Sequence, residues 1–120
     1  MKEKRVRIAQ LPLSKNDRQA VEEFVQRLRI EFLDGIREIK LFGSKIRKGV
    51  STTKSDIDIL VIVKDNKNFI TNKIIDIAFE INLKYDIYIS PRILPEAVFK
   101  NTLWRATPFI QNLEKEAVAI

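Results

Sequence analysis

Two aspartates separated by one residue, Asp56 and Asp58, stand at the entry to the apolar run 57–63. A β-strand has a side-chain period of two, so both carboxylates leave the same face, with Cα atoms about 7 Å apart. Like charges that close, followed on the same face by Leu60 and Ile62, are costly unless a cation neutralises them or solvent reaches them. Carboxylate oxygens and water suit a hard divalent ion, Mg²⁺ or alternatively Mn²⁺. The chain has no cysteine and no histidine, which removes thiolate and imidazole metal ligands, cysteine nucleophiles and histidine bases. Any catalysis has to run on carboxylates, hydroxyls, Lys, Arg, Tyr and backbone amides.

A third carboxylate, Asp86, interrupts the otherwise apolar segment 85–89. If that segment is a strand beside 57–63, the three aspartates form a cluster able to hold two metal ions about 3.5–4 Å apart, one polarising a phosphate and one activating the attacking oxygen. Gly43-Ser44 adds a different chemistry. A glycine after a strand lets backbone approach a ligand closely, while amides at a helix start and the Ser44 hydroxyl suit phosphate oxygens. Lys45, Arg47 and Lys48 follow and add positive charge around a triphosphate. Each signal alone is common in proteins; their order along one chain carries the information.

The elements that must position these residues follow from periodicity. Ser14 with Asp17 three residues later reads as an N-cap, and Val21, Phe24, Val25, Leu28 and Phe32 recur at helical spacing until Asp34-Gly35. Residues 36–42 read as a strand running into the Gly43-Ser44 turn, and 45–55 as a short helical turn and a loop. Residues 57–63 are nearly continuously apolar and β-branched, the pattern of a central strand covered on both faces. Residues 68–83 predict a long apolar helix, with Ile70, Ile74, Ile77, Ala78 and Ile81 on one stripe and Phe69, Ile75 and Phe79 widening it; core packing is the expected use of that breadth, a partner or self-association face the alternative. Residues 85–90 predict a third strand, closed by Pro91. Pro95 opens a short helical turn, and Thr107-Pro108 caps a last helix carrying Phe109, Leu113, Ala117 and Ile120. Trp104, Tyr85 and Tyr88, beside apolar neighbours, read as core rather than as stackers on a base. The expected fold is α+β, a small mixed β-sheet flanked by helices.

Composition narrows the setting. A length of 120 residues suits one packed core, so 1–120 is expected to be a single domain. No run of about 18 apolar residues appears and no apolar segment follows the charged start, so a cytoplasmic protein without a membrane span is expected. Twenty-two basic against 16 acidic side chains give a net charge of +6, which favours anionic partners. Nucleotides fit that bias; nucleic acid is not favoured, because the basic residues are spread along the chain.

Strand, Gly43-Ser44, a basic loop, Ser55-Asp56-Ile57-Asp58 entering an apolar strand, and a later Asp86 resemble the minimal nucleotidyltransferase family, a branch of the DNA polymerase β-like nucleotidyltransferases. The likeness covers roughly 36–89, with the polymerase β-like palm as the implied fold. It implies that Gly43 and Ser44 bind the β- and γ-phosphates of ATP or another NTP, with Arg47 and Ser55 also on the nucleotide. It further implies that Asp56 and Asp58 hold Mg²⁺ and that Asp86 ligates a second ion or helps deprotonate the acceptor. The implied reaction is attack of a hydroxyl on the α-phosphate with release of pyrophosphate. Members commonly read Gly-Ser-x-Ala-Arg-Gly, whereas here Lys48 stands where the second glycine would fall. Small members resemble antitoxins that transfer AMP to a tyrosine of a helical HEPN-type toxin, so such a partner is implied; a homodimer is the other assembly considered. Two alternative readings remain at this point: a nucleotide-binding or partner-docking module without chemistry, and nucleotidyl transfer to a small molecule.

Overall fold

The computed structural model describes residues 5–43, 56–65 and 67–120, apart from the side chains of residues 102, 113, 114 and 116. Helix α1 (Lys15–Phe32) starts as its cap predicts: Ser14 Oγ accepts a hydrogen bond from the Asp17 amide at 3.1 Å. Strand β1 (Ile36–Phe42) leads to Gly43, and β2 (Ile57–Val63) runs back antiparallel to it, with Phe42 opposite Asp58 and Lys40 opposite Leu60. After helix α2 (Asn68–Tyr85) comes β3 (Ile89–Pro95), parallel to β2 with Asp58 opposite Ser90 and Leu60 opposite Arg92. Three short helices follow, α3 (Glu96–Phe99), α4 (Thr102–Arg105) and α5 (Pro108–Glu116), and then β4 (Val118–Ala119). The sheet order is β3-β2-β1-β4, so the architecture is the expected α+β with a mixed sheet.

The sheet is covered on both faces, which explains the unbroken apolar run of β2. On one face Ile57, Ile59, Val61 and Val63 pack with Phe24, Leu28, Ile74, Ile77 and Ile81 of α1 and α2. On the other, Leu60 and Ile62 pack with Phe99 and Ile110, and with the partly buried Phe42, Leu94 and Phe109. Asp58 belongs to this second face, the only half-buried position in an otherwise buried strand. Burying apolar surface at roughly 25 cal/mol per Å² on both faces holds β2 in place.

The expected strand over 85–90 is a different structure. Helix α2 continues to Tyr85, Asp86 takes a left-handed conformation (φ 52°, ψ 51°) as its C-cap, and the strand begins at Ile89. The Asp86 amide donates to the carbonyl of Asn82, and the Asn82 side chain then acts as a substitute strand for β3. Its Oδ1 accepts from the Ile89 amide at 2.7 Å and its Nδ2 donates to the Ile89 carbonyl at 3.2 Å. Ile89 therefore turns its backbone groups away from β2, and in a parallel ladder Pro91, Ile93 and Pro95 do the same. That explains why Pro91 lies inside the strand instead of closing it: β3 is an edge strand, and the amide proline lacks would have faced outward.

Three further expectations change. The last helix stops at Glu116, and Ala117 and Ile120 leave it; the chain after it pairs with β1, Lys40 opposite Ala119 and Leu41 opposite Val118. Phe69, Phe79 and Leu83 of α2 face outward at 66%, 62% and 70% exposure, with Ile75 beside them, so the widening of the α2 stripe lies on its outer side. Tyr88 and Trp104 are exposed rather than core, while the Tyr85 hydroxyl donates to Glu23 of α1 at 2.7 Å. Lys84 reaches the same Glu23 oxygen at 2.7 Å, and together they lower the Glu23 carboxyl below its usual range. This contact ties the end of α2, and so the start of β3, to α1. Among the described residues no helix is long and apolar enough to cross a membrane.

Candidate active site

Asp56, Asp58, Gly43 and Ser90 lie at one end of the strands β1, β2 and β3. Asp56 is exposed just before β2, and Asp58 is the second residue of the strand, half-buried on the face shared with Phe42 and Ser90. Gly43 closes β1 with φ +87°, a conformation that L side chains rarely adopt. It also lies directly against Asp58. A Cβ there would sit 3.1 Å from the Asp58 Cγ and 3.3 Å from its Cβ, and would overlap its carboxylate oxygen. The glycine of the turn and the second aspartate are thus one packed unit, and only a glycine leaves the carboxylate room.

The electrostatics match that geometry. Burial pushes the Asp58 carboxyl above its ordinary value, the neighbouring Asp56 charge pushes it further, and Arg92 on β3 opposes both. A half-buried carboxylate beside a second one, without histidine or cysteine, suits a hard divalent cation held through oxygen. Asp56 and Asp58 are the residues that would hold it.

Asp86 does not join them. It is exposed at the α2 cap, and no group of three carboxylates able to hold a metal ion exists among the described residues. The expected third strand bearing Asp86 is therefore corrected: the left-handed cap removes Asp86 from the strand whose register would have brought it alongside Asp58. The neighbour that β3 does supply opposite Asp58 is Ser90. Ser44, Arg47 and Ser55 lie outside the described residues.

Sequence reasoning also missed a groove on the other side of β2. A cavity of ≈ 650 Å³ follows β3 from Ser90 to Leu94 and is closed by Trp104, Thr107 and Phe109. Arg92 lies over the Phe109 ring, 5.5 Å from its centroid, and Phe109 packs edge-on against Phe42 at 6.4 Å. A lone charge in the stretch Ile89 to Leu94 was the available signal: Arg92 stays exposed and lies over an aromatic ring.

Paired carboxylates on a central strand, packed against a glycine turn, are fitted to hold a divalent cation against phosphate oxygens. The chain belongs to the nucleotidyltransferase domain family, which matches residues 19–120, and it is a nucleotidyltransferase. It is similar to two proteins of Methanocaldococcus jannaschii provisionally named protein adenylyltransferases. MJ0141 is 35% identical over 101 residues, covering 83% of this chain and 94% of its own length. MJ0604 is 33% identical over 88 residues, covering 73% of this chain and 83% of its own length. Among solved structures, a doubly substituted variant of the toxin–antitoxin MntA–HpeT superposes with a TM-score of 0.50 at 18% identity, covering 82% of this chain and 70% of that one. That likeness is one of fold.

Proposed function

We propose that this chain transfers AMP from ATP to a hydroxyl acceptor, a tyrosine of a HEPN-type toxin partner, and so acts as an antitoxin. The observation that carries the reading is the Gly43–Asp58 contact beside Asp56, which joins a phosphate-approaching turn to a cation-holding carboxylate pair in one small unit. Gly43 and Ser44 hold the β- and γ-phosphates, Arg47 and Ser55 add contacts to the nucleotide, and Asp56 and Asp58 bind one Mg²⁺. A bound divalent cation supplies polarisation of the phosphate oxygens. In the transfer the acceptor oxygen bonds to the α-phosphorus, the α-phosphorus bond to the bridging oxygen breaks, pyrophosphate leaves with the electron pair, and the hydroxyl proton goes to water. Residues 1–120 act as one domain in this reading. The provisional names of the M. jannaschii relatives support AMP and a protein acceptor. The toxin–antitoxin pairing of the superposed structure supports the partner, for which the outward strip of Phe69, Ile75, Phe79 and Leu83 offers an apolar surface.

The test is incubation with Mg²⁺ and each α-labelled NTP, with and without a HEPN-type partner, beside the Asp56→Asn/Asp58→Asn variant. Label from ATP on a partner tyrosine, only with both aspartates intact, is the expected result. Mg²⁺-dependent ATP binding without transfer to any partner would leave a docking module instead.

A further inference from the structure

We propose that the groove along β3, bounded by Arg92, Trp104 and Phe109, is the acceptor subsite, and that it takes an aromatic hydroxyl flanked by acidic residues. The inference rests on the nucleotide reading above and adds where the second substrate enters.

The sheet order carries it. Gly43 lies at the end of β1, Asp58 on the next strand, and the groove beyond it on β3. Attacking and leaving oxygens lie roughly in line at a transferring phosphoryl group. With the leaving pyrophosphate drawn toward Gly43 and the α-phosphate at Asp58, the incoming oxygen has to arrive from the β3 side. Ser90, the residue directly opposite Asp58, opens that side, and the groove begins at Ser90.

The lining describes the occupant. Pro91, Ile93, Leu94, Trp104 and Phe109 make the walls apolar and aromatic, which suits a ring. Trp104 is 41% exposed and lines the groove. Thr107 offers little polar competition, since its hydroxyl donates to the Trp104 carbonyl at 2.6 Å and caps α5 by accepting from the Ile110 amide. Arg92 is the cation at the rim, its guanidinium over the Phe109 ring at 5.5 Å and its charge also felt by Asp58. A volume of ≈ 650 Å³ holds a ring together with its flanking backbone. Arg92 then selects acidic neighbours of the acceptor, in keeping with the net charge of +6.

Trp104 is the only tryptophan of the chain, so its fluorescence reports on this groove. The full chain with Mg²⁺ and α,β-methylene-ATP is titrated with the blocked tripeptide Glu-Tyr-Glu and with blocked Lys-Tyr-Lys and Glu-Ser-Glu, exciting tryptophan selectively. The expected result is saturable change with Glu-Tyr-Glu, at least about fivefold weaker binding of Lys-Tyr-Lys, and no change with Glu-Ser-Glu. Arg92→Gln abolishes the preference for Glu over Lys, read at saturating ATP analogue so that any change at Asp58 is common to both peptides. Absence of any Trp104 response to Glu-Tyr-Glu overturns the assignment. So does displacement of the tripeptide by the ATP analogue, which puts the nucleotide in the groove, or a preference for Glu over Lys that survives Arg92→Gln. Failure of the analogue to bind at all strikes the nucleotide reading instead, and the tripeptide titration in its absence still reads the groove.

Discussion

Gly43→Ala tests the unit on which the site is built. Two costs come from the structure. The first is backbone: φ +87° carries a strain of about 1–3 kcal/mol for an alanine. The second is contact: the new Cβ would overlap the Asp58 carboxylate and crowd its Cγ at 3.1 Å, so the side chain has to swing from its place between Phe42 and Ser90. The melting temperature should fall by roughly 4–12 °C, and Mg²⁺-dependent ATP affinity by at least about tenfold, because a cation ligand has moved. A double-mutant cycle separates the costs. In an Asp58→Ala background only the backbone strain remains, so the alanine at position 43 should cost about 1 kcal/mol less there by denaturant titration. An equal penalty in both backgrounds, or wild-type ATP affinity in Gly43→Ala, would refute the claim that turn and carboxylate act as one unit.

Asp86→Asn should leave stability within about 0.5 kcal/mol, since asparagine tolerates the left-handed cap, and should keep Mg²⁺-dependent ATP affinity within about twofold by calorimetry. A loss as large as that of Asp56→Asn would return Asp86 to the metal. Asn82→Ala removes both hydrogen bonds to the Ile89 backbone and should cost about 1–3 kcal/mol in urea unfolding. Asn82→Asp keeps the acceptor and should recover part of the loss. Glu23 titrates below its usual 4.5 in the folded chain because Lys84 and Tyr85 hydrogen-bond it. The stability it contributes is therefore complete above the unfolded value and is lost as pH falls through the lower folded one. Glu23→Gln should flatten the stability profile in that acid window, and an unchanged slope would mean that the contact contributes nothing.

Much of the fold was legible because local signals and tertiary burial agree. The Ser14 cap, the strand 36–42, the buried strand 57–63 and the Thr107-Pro108 helix start all appear where pattern places them. The failures share a cause. Asp86 sits in a five-residue apolar stretch that a strand or a helix end satisfies equally well; the choice was made by Asn82, whose side chain can grip Ile89 only once the chain has turned. Pro91 reads as a strand terminator unless the edge position of β3 is known. Ala117 and Ile120 continue a helical stripe on paper, yet the open edge of β1 offers backbone partners that a helix end does not.

The sequence by itself determined the paired carboxylates at the entry to a buried strand, the glycine that ends the strand before it and the exclusion of histidine and cysteine chemistry, because these depend on residue type and on a spacing of two. Only the tertiary structure decided which face of β2 carries Asp58, that Gly43 packs on it, that Asp86 stays away and that Arg92, Trp104 and Phe109 form a groove beside it. Those relations join residues distant in the chain, 15 positions for Gly43 and Asp58 and 32 for Asp58 and Ser90, through strand register and a left-handed cap, and no local periodicity records them.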